Sequence, residues 1–172
     1  MKKIIVSILI ILIMLTLFFI KNYNVQEDNN EGKILSAMDK DQIEQNYNFK
    51  INNEEYSSIH DYKLEELFIN KCTAEEYIKT LDIPKGMISS YKEDNFEIVS
   101  YSEGAAGSIY KTINYIFNKD NKCYALEIIE RISSCGAYFY EKEEVDQCIE
   151  KQNKGLDNYN KKIKELLLLI VS

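Results

Sequence analysis

The chain has 172 residues and a formal net charge of −7, a length that fits one domain with appendages. Three of the 21 basic residues and none of the 28 acidic ones fall in residues 1–21, so the remainder carries −10. That excess of acid argues against a nucleic-acid partner and against an electrostatic grip on anionic lipid.

The sequence opens with "MKK", the uncharged run "IIVSILIILIMLTLFFI" from Ile4 to Ile20, and Lys21. As a helix the run would be about 26 Å long, close to a hydrocarbon core of about 30 Å. It is longer than the usual apolar core of a cleaved signal peptide, and no small-x-small cleavage site follows it. Lys2, Lys3 and the terminal amine outweigh Lys21, which keeps the start in the cytoplasm. The expectation is a single-pass signal anchor over residues 1–21, inserted in the membrane through residues 4–20, with everything after it outside. A cleaved leader and a secreted or periplasmic product is the alternative. "NYNVQEDNNEGK", residues 22–33, reads as a polar tether. Residues 34–172 are expected to form one extracytoplasmic domain.

Within that domain Ile34, Leu35, Met38 and Tyr47 recur at loosely helical spacing. In "SSIHDYKLEELFINKC" Ser58 and Asp61 look like a capping start, with Leu64, Leu67, Phe68 and Cys72 at helical intervals, so a helix is expected there. Thr73 and Glu76 cap a further short helix carrying Tyr77, Ile78 and Leu81. Pro84 and Gly86 then mark a turn. Three strands follow, "NFEIVSY", "SIYKTINYIF" and "CYALEIIERIS", rich in β-branched and aromatic residues.

A two-residue turn at Asp120 and Asn121 sets Phe117 opposite Tyr124, Tyr115 opposite Leu126, Ile113 opposite Ile128 and Ile109 opposite Ile132. Lys111 then faces Glu130 as the one charged pair on that face. "EGAAGS" closes the preceding hairpin. Val145, Ile149, Gln152, Leu156, Tyr159, Ile163, Leu166 and Ile170 mark one face of a long helix, or of two helices broken at Gly155. The fold class is α+β: a membrane-anchor helix, short helices, an antiparallel three-stranded meander and a long C-terminal amphipathic helix.

Four cysteines in an exported chain point to disulfides. Their spacing contains no C-x-x-C, so a zinc site or redox dithiol is not supported. If residues 123–135 form one strand, its ends lie about 40 Å apart, whereas bonded Cα atoms lie within roughly 7 Å. Cys123–Cys135 is thereby excluded. A helix starting near Glu141 keeps Cys148 close to Cys135, so Cys135–Cys148 is expected, leaving Cys72–Cys123.

No residue stands out as catalytic, cofactor-binding or metal-binding. Ser57, Ser58, His60 and Asp61 have a hydrolase triad's composition, but triad members meet through the fold rather than as chain neighbours, and no G-x-S-x-G is present. "DKDQIE", Asp39 to Glu44, and "EDNNEG", Glu27 to Gly32, have calcium-like composition without the EF-hand spacing. "EGAAGS" lacks the lysine of a phosphate loop. Glu141, Glu143 and Glu144 complement a helix dipole. Thirteen tyrosines and no tryptophan suit both half-buried strands and a contact surface. The functional expectation is a non-catalytic, membrane-anchored envelope domain that binds a protein or peptide, as an inhibitor, immunity-type protein or accessory subunit. A small anchored or secreted hydrolase using carboxylates is the alternative.

Overall fold

The computed structural model describes residues 33–105 and 107–172. The expected anchor and nearly all of the tether lie outside the described residues, among which no helix is long and apolar enough to cross a membrane. The elements in chain order are β1 (Lys33–Met38), α1 (Lys40–Tyr47), β2 (Ser57–Phe68), α2 (Ala74–Thr80), a 3₁₀ turn (Lys85–Met87), β3 (Ser89–Glu93), β4 (Phe96–Ala105), β5 (Ser108–Lys119), β6 (Lys122–Ser133), α3 (Cys135–Tyr138) and α4 (Lys142–Val171). The strands form one antiparallel sheet in the order β1-β2-β6-β5-β4-β3.

Six strands replace the expected three-stranded meander. The segment taken as a helix from Ser58 is the central strand β2, paired with both β1 and β6. Its apolar spacing imitates a helix for two reasons. A bulge between Ile59 and Asp61 inserts a residue into the alternation. Lower down, Leu64 and Leu67 point to opposite faces, and both faces are buried there. The first expected helix divides at Asp39. The residues before it form the edge strand β1, and Asp39 caps α1 by a reciprocal box: Gln42 N donates to Asp39 Oδ1 at 2.9 Å and Asp39 N to Gln42 Oε1 at 3.0 Å. The strand β3, "SSYKE", is polar and almost wholly exposed, so no hydrophobic pattern announced it.

The β5–β6 hairpin has the anticipated register from Lys119↔Lys122 to Ile109↔Ile132, with Lys111 opposite Glu130. Asp120 and Asn121 take φ of 52° and 61°, the left-handed pair that a two-residue turn needs to match strand twist. Thr73 caps α2 by accepting from Glu76 N. The final helix is continuous through Gly155. In its first half the buried residues are Cys148 and Gly155, while Ile149, expected on the buried side, is 43 % exposed.

The first face of the sheet carries the main core. Ile59, Tyr62, Leu64, Leu126 and Ile128 meet Tyr159, Ile163, Leu166, Leu167 and Ile170 of α4 and Ile43 of α1. On the second face a smaller core of Leu67, Val99, Ile116, Cys123 and Ala125 lies under Ala74 and Tyr77 of α2. At seven residues α2 is about 10 Å long, whereas twelve-residue strands run about 40 Å. It therefore covers only the end of that face where β2 finishes and β6 begins, called the lower end below.

Disulfides join Cys135 to Cys148 (Cα–Cα 5.9 Å) and Cys72 to Cys123 (Cα–Cα 5.3 Å). The first ties α4 to the corner after β6. The second ties the start of the α2 segment to the beginning of the same strand.

Candidate functional site

The residues that suggested chemistry in the sequence are scattered by the fold. Ser57 is buried at the start of β2 and its hydroxyl has no hydrogen-bond partner. His60 is exposed on the β2 bulge, edge-on to Tyr110 at 5.7 Å between ring centroids, so its expected place at a helix start is corrected to a strand bulge. Asp61 accepts from Tyr62 N at 2.8 Å. No triad is assembled. Among the described residues no group of three or more His, Cys, Asp or Glu side chains is placed to hold a metal ion. Glu27–Gly32 lies outside the described residues. Glu143 and Glu144 stand in the exposed first turn of α4. In the "EGAAGS" turn Gly107 takes φ +78°, a left-handed conformation that favours glycine. Of the "AYFY" tyrosines, Tyr140 is 95 % exposed and Tyr138 54 %, while Phe139 meets Tyr56 edge-on.

What the fold does gather is a polar and aromatic surface on the second face, above α2. Three rows cross the central strands at directly opposed positions. The lowest is Lys63–Glu127–Asn114–Val99, the next Asp61–Ile129–Thr112–Tyr101, and the highest places Arg131 beside Tyr110 and Tyr110 beside Glu103. Side chains at opposed positions of antiparallel strands share a face and touch, so the rows form one continuous patch.

In the lowest row Glu127, Asn114 and Val99 are largely shielded from water, while Lys63 stays partly exposed. Lys63 Nζ lies 2.9 Å from Glu65 Oε1 and 3.3 Å from Glu127 Oε1, and Glu65 is only 5 % exposed. Burial pushes the Glu127 carboxyl above the ordinary carboxylate range, with the Lys63 ammonium pulling the other way. Burial also works against the Lys63 ammonium, but its hydrogen bond to Glu65 and the charges of both glutamates prevail and raise its pKa. Tyr77, reaching over from α2, donates to Asn114 Oδ1 at 2.8 Å. Asn114 is fully buried, and its Nδ2 has no hydrogen-bond partner. Turning the amide over would leave its oxygen unpaired instead, since Tyr77 offers a single hydroxyl.

Higher up the surface opens. Tyr101, Tyr110 and Ile129 are half-buried, while Asp61, Glu103 and Arg131 are exposed. Arg131 Nε donates to Ser108 Oγ at 3.3 Å. The patch carries fixed charges of both signs and two tyrosine rings. It contains no nucleophile activated by a base and no ring of acids free of counter-charge.

Sequence reasoning missed Lys63 and Glu65 because β2 was read as a helix. Asn114 and Glu127 were within reach, because the register that pairs Ile113 with Ile128 also pairs these two. A polar residue at the centre of each of two apolar strands was the signal.

A cleft of about 770 Å³ lies at the lower end of the sheet, lined in part by Phe96, Phe117, Leu168 and Val171. The chain matches no family model, and no curated protein or solved structure is significantly similar to it.

Proposed function

We propose that the chain is a non-catalytic envelope protein, held to the cytoplasmic membrane through Ile4–Ile20, whose extracytoplasmic domain binds a protein or peptide partner on the open half of its second sheet face. The observation that carries this is the three-row patch, where Tyr101 and Tyr110 stand among charges of both signs with no helix of the described residues packed over them. Tyrosine gives large contact area for little loss of side-chain freedom, and mixed polar and aromatic surfaces are typical of partners that also exist apart. The two disulfides support an oxidising compartment. An inhibitor, an immunity-type protein and an accessory subunit are all forms of this reading.

A hydrolase working through Glu65 and Glu127 is the second reading, favoured by the raised carboxyl of Glu127. Against it, Lys63 sits between the two carboxylates and ion-pairs with both, offsetting one of their two charges. The test is a photo-crosslinking amino acid placed at Tyr110 or, as a control, at Lys154 on the exposed side of α4, in the full-length chain in intact cells. One discrete partner captured from position 110, absent from position 154 and lost when Tyr101→Ala is added, is the expected result. Equal labelling from both positions would refute the assignment of this face.

A further inference from the structure

Six of the twelve exposed large apolar side chains among the described residues gather at or near one end of the domain: Ile34, Leu35, Phe68, Leu168, Leu169 and Val171. It is the lower end, where Lys33 opposes Phe68 and Ile34 opposes Leu67. The final turn of α4 arrives there too, because Lys119 Nζ donates to Ile170 O at 2.5 Å just before the β5–β6 turn. Leu168 and Val171 also line the cleft with Phe96 and Phe117, alongside the polar Lys92, Asp94, Asn95, Glu97 and Asn118.

The chain reaches this end from the leader. Eleven residues, 22–32, separate Lys21 from Lys33, the first residue of β1. Fully extended, the twelve Cα steps between them span at most about 43 Å, and a random coil of that length averages about 20 Å. An anchored leader therefore attaches the domain to the bilayer by this end, about one strand length from Tyr138 and Tyr140 at the other.

We infer that the lower end rests on the lipid surface, with Leu168, Leu169, Val171 and Phe68 entering the boundary between headgroups and acyl chains. The inference rests on the reading of Ile4–Ile20 as an anchor. The occupant is lipid rather than a second copy, because the tether delivers the bilayer to these side chains and nothing delivers a second chain. The contact is apolar. With a charge of −10 after the leader the domain is repelled rather than attracted by anionic headgroups, so anionic lipid should not strengthen docking and salt should not weaken it.

The protein has no tryptophan, which makes a single introduced one a clean depth probe. Full-length chains carrying Leu169→Trp, Phe68→Trp or, as a control at the far end, Tyr140→Trp are reconstituted in phosphatidylcholine vesicles with and without brominated acyl chains. Tryptophan at 169 and at 68 should emit at shorter wavelength and lose about half its intensity to brominated lipid, as expected for a side chain in the boundary region. Tryptophan at 140 should be unaffected. A chain that stays with the vesicles through an alkaline carbonate wash but shows no quenching at 169 and 68 overturns the inference and leaves the anchor standing. Blue-shifted emission without quenching means that protein covers this end, and overturns it too. A chain released by carbonate removes the anchor reading, and the inference with it.

Discussion

Gly155 lies in the middle of a thirty-residue helix, where alanine is ordinarily the better residue by about 1 kcal/mol. Here Gly155→Ala should destabilise. A Cβ at this position would overlap Ser57 Oγ and stand 3.1 Å from Glu54 Cβ and 3.3 Å from Glu54 Cγ. That corner of the chain has little room to retreat. Tyr159, one turn further along the same helix, accepts from Glu54 N at 2.6 Å and donates to Ser57 O at 2.7 Å, pinning both residues to the helix that would push them away. Overpacking of this kind costs about 1–3 kcal/mol. Set against the propensity gain, the net loss is about 1 kcal/mol, or roughly 3 °C in Tm for a domain of this size. Ser57 supplies the control. Its hydroxyl is buried and unpartnered, so Ser57→Ala alone should be neutral or slightly stabilising. In the Ser57→Ala background the worst overlap is gone, and Gly155→Ala should be about 1 kcal/mol less damaging than in the parent. Urea unfolding of the four proteins with disulfides intact, followed by circular dichroism, measures the cycle. A Gly155→Ala protein more stable than the parent, or no coupling to Ser57, would refute the close-approach argument.

Removing a disulfide should cost more for the longer loop. By loop entropy Cys135→Ser/Cys148→Ser loses about 3 kcal/mol and Cys72→Ser/Cys123→Ser about 4 kcal/mol, for separations of 13 and 51 residues; calorimetry giving the reverse order would contradict this. Burial holds the Glu130 carboxyl above its ordinary value, against the pull of Lys111. The folded state then binds this proton more tightly than the unfolded state, so stability is greatest below the unfolded value of about 4.3 and falls as pH rises through the folded one. Glu130→Gln should therefore raise Tm at pH 7 and leave it little changed near pH 4, and a lower Tm at pH 7 would show that the attraction of Lys111 outweighs burial.

The hairpin was legible because two signals agreed. Asp120-Asn121 fixes the turn, and a face of isoleucines and aromatics fixes the register, since a slip of one residue would turn every one of them outward. The cysteine pairing was legible for a geometric reason, because a strand holds Cys123 and Cys135 apart. The central strand β2 was hidden by its position. A strand buried on both faces loses strict alternation, the bulge after Ile59 shifts it once more, and "LEELF" then satisfies a helical template as well as a strand. The candidate site shared that fate. Lys63 and Glu65 acquire meaning only when β2 lies beside β6 and sets Lys63 opposite Glu127.

The uncovered half of the second face is written into the strands. Reading β5 downward on that side gives Ser108, Tyr110, Thr112 and Asn114, then Ile116. Reading β6 upward gives Cys123 and Ala125, then Glu127, Ile129 and Arg131. On both strands the composition changes from polar to apolar just where α2 begins its cover, and Tyr77 and Asn114 meet at the border. The thirty-residue α4 is about 45 Å long and matches the full length of the strands on the first face, where the same strands present Ile113, Tyr115, Phe117, Leu126 and Ile128. A face shaped for a permanent cover, whether a helix or an obligate subunit, would carry apolar side chains along its whole length. This one carries them mainly under α2, with Ile129 the one aliphatic side chain in the upper rows. On the proposed reading, a partner for the upper rows would meet charges of both signs and two tyrosine rings, a composition that suits associations that form and dissociate.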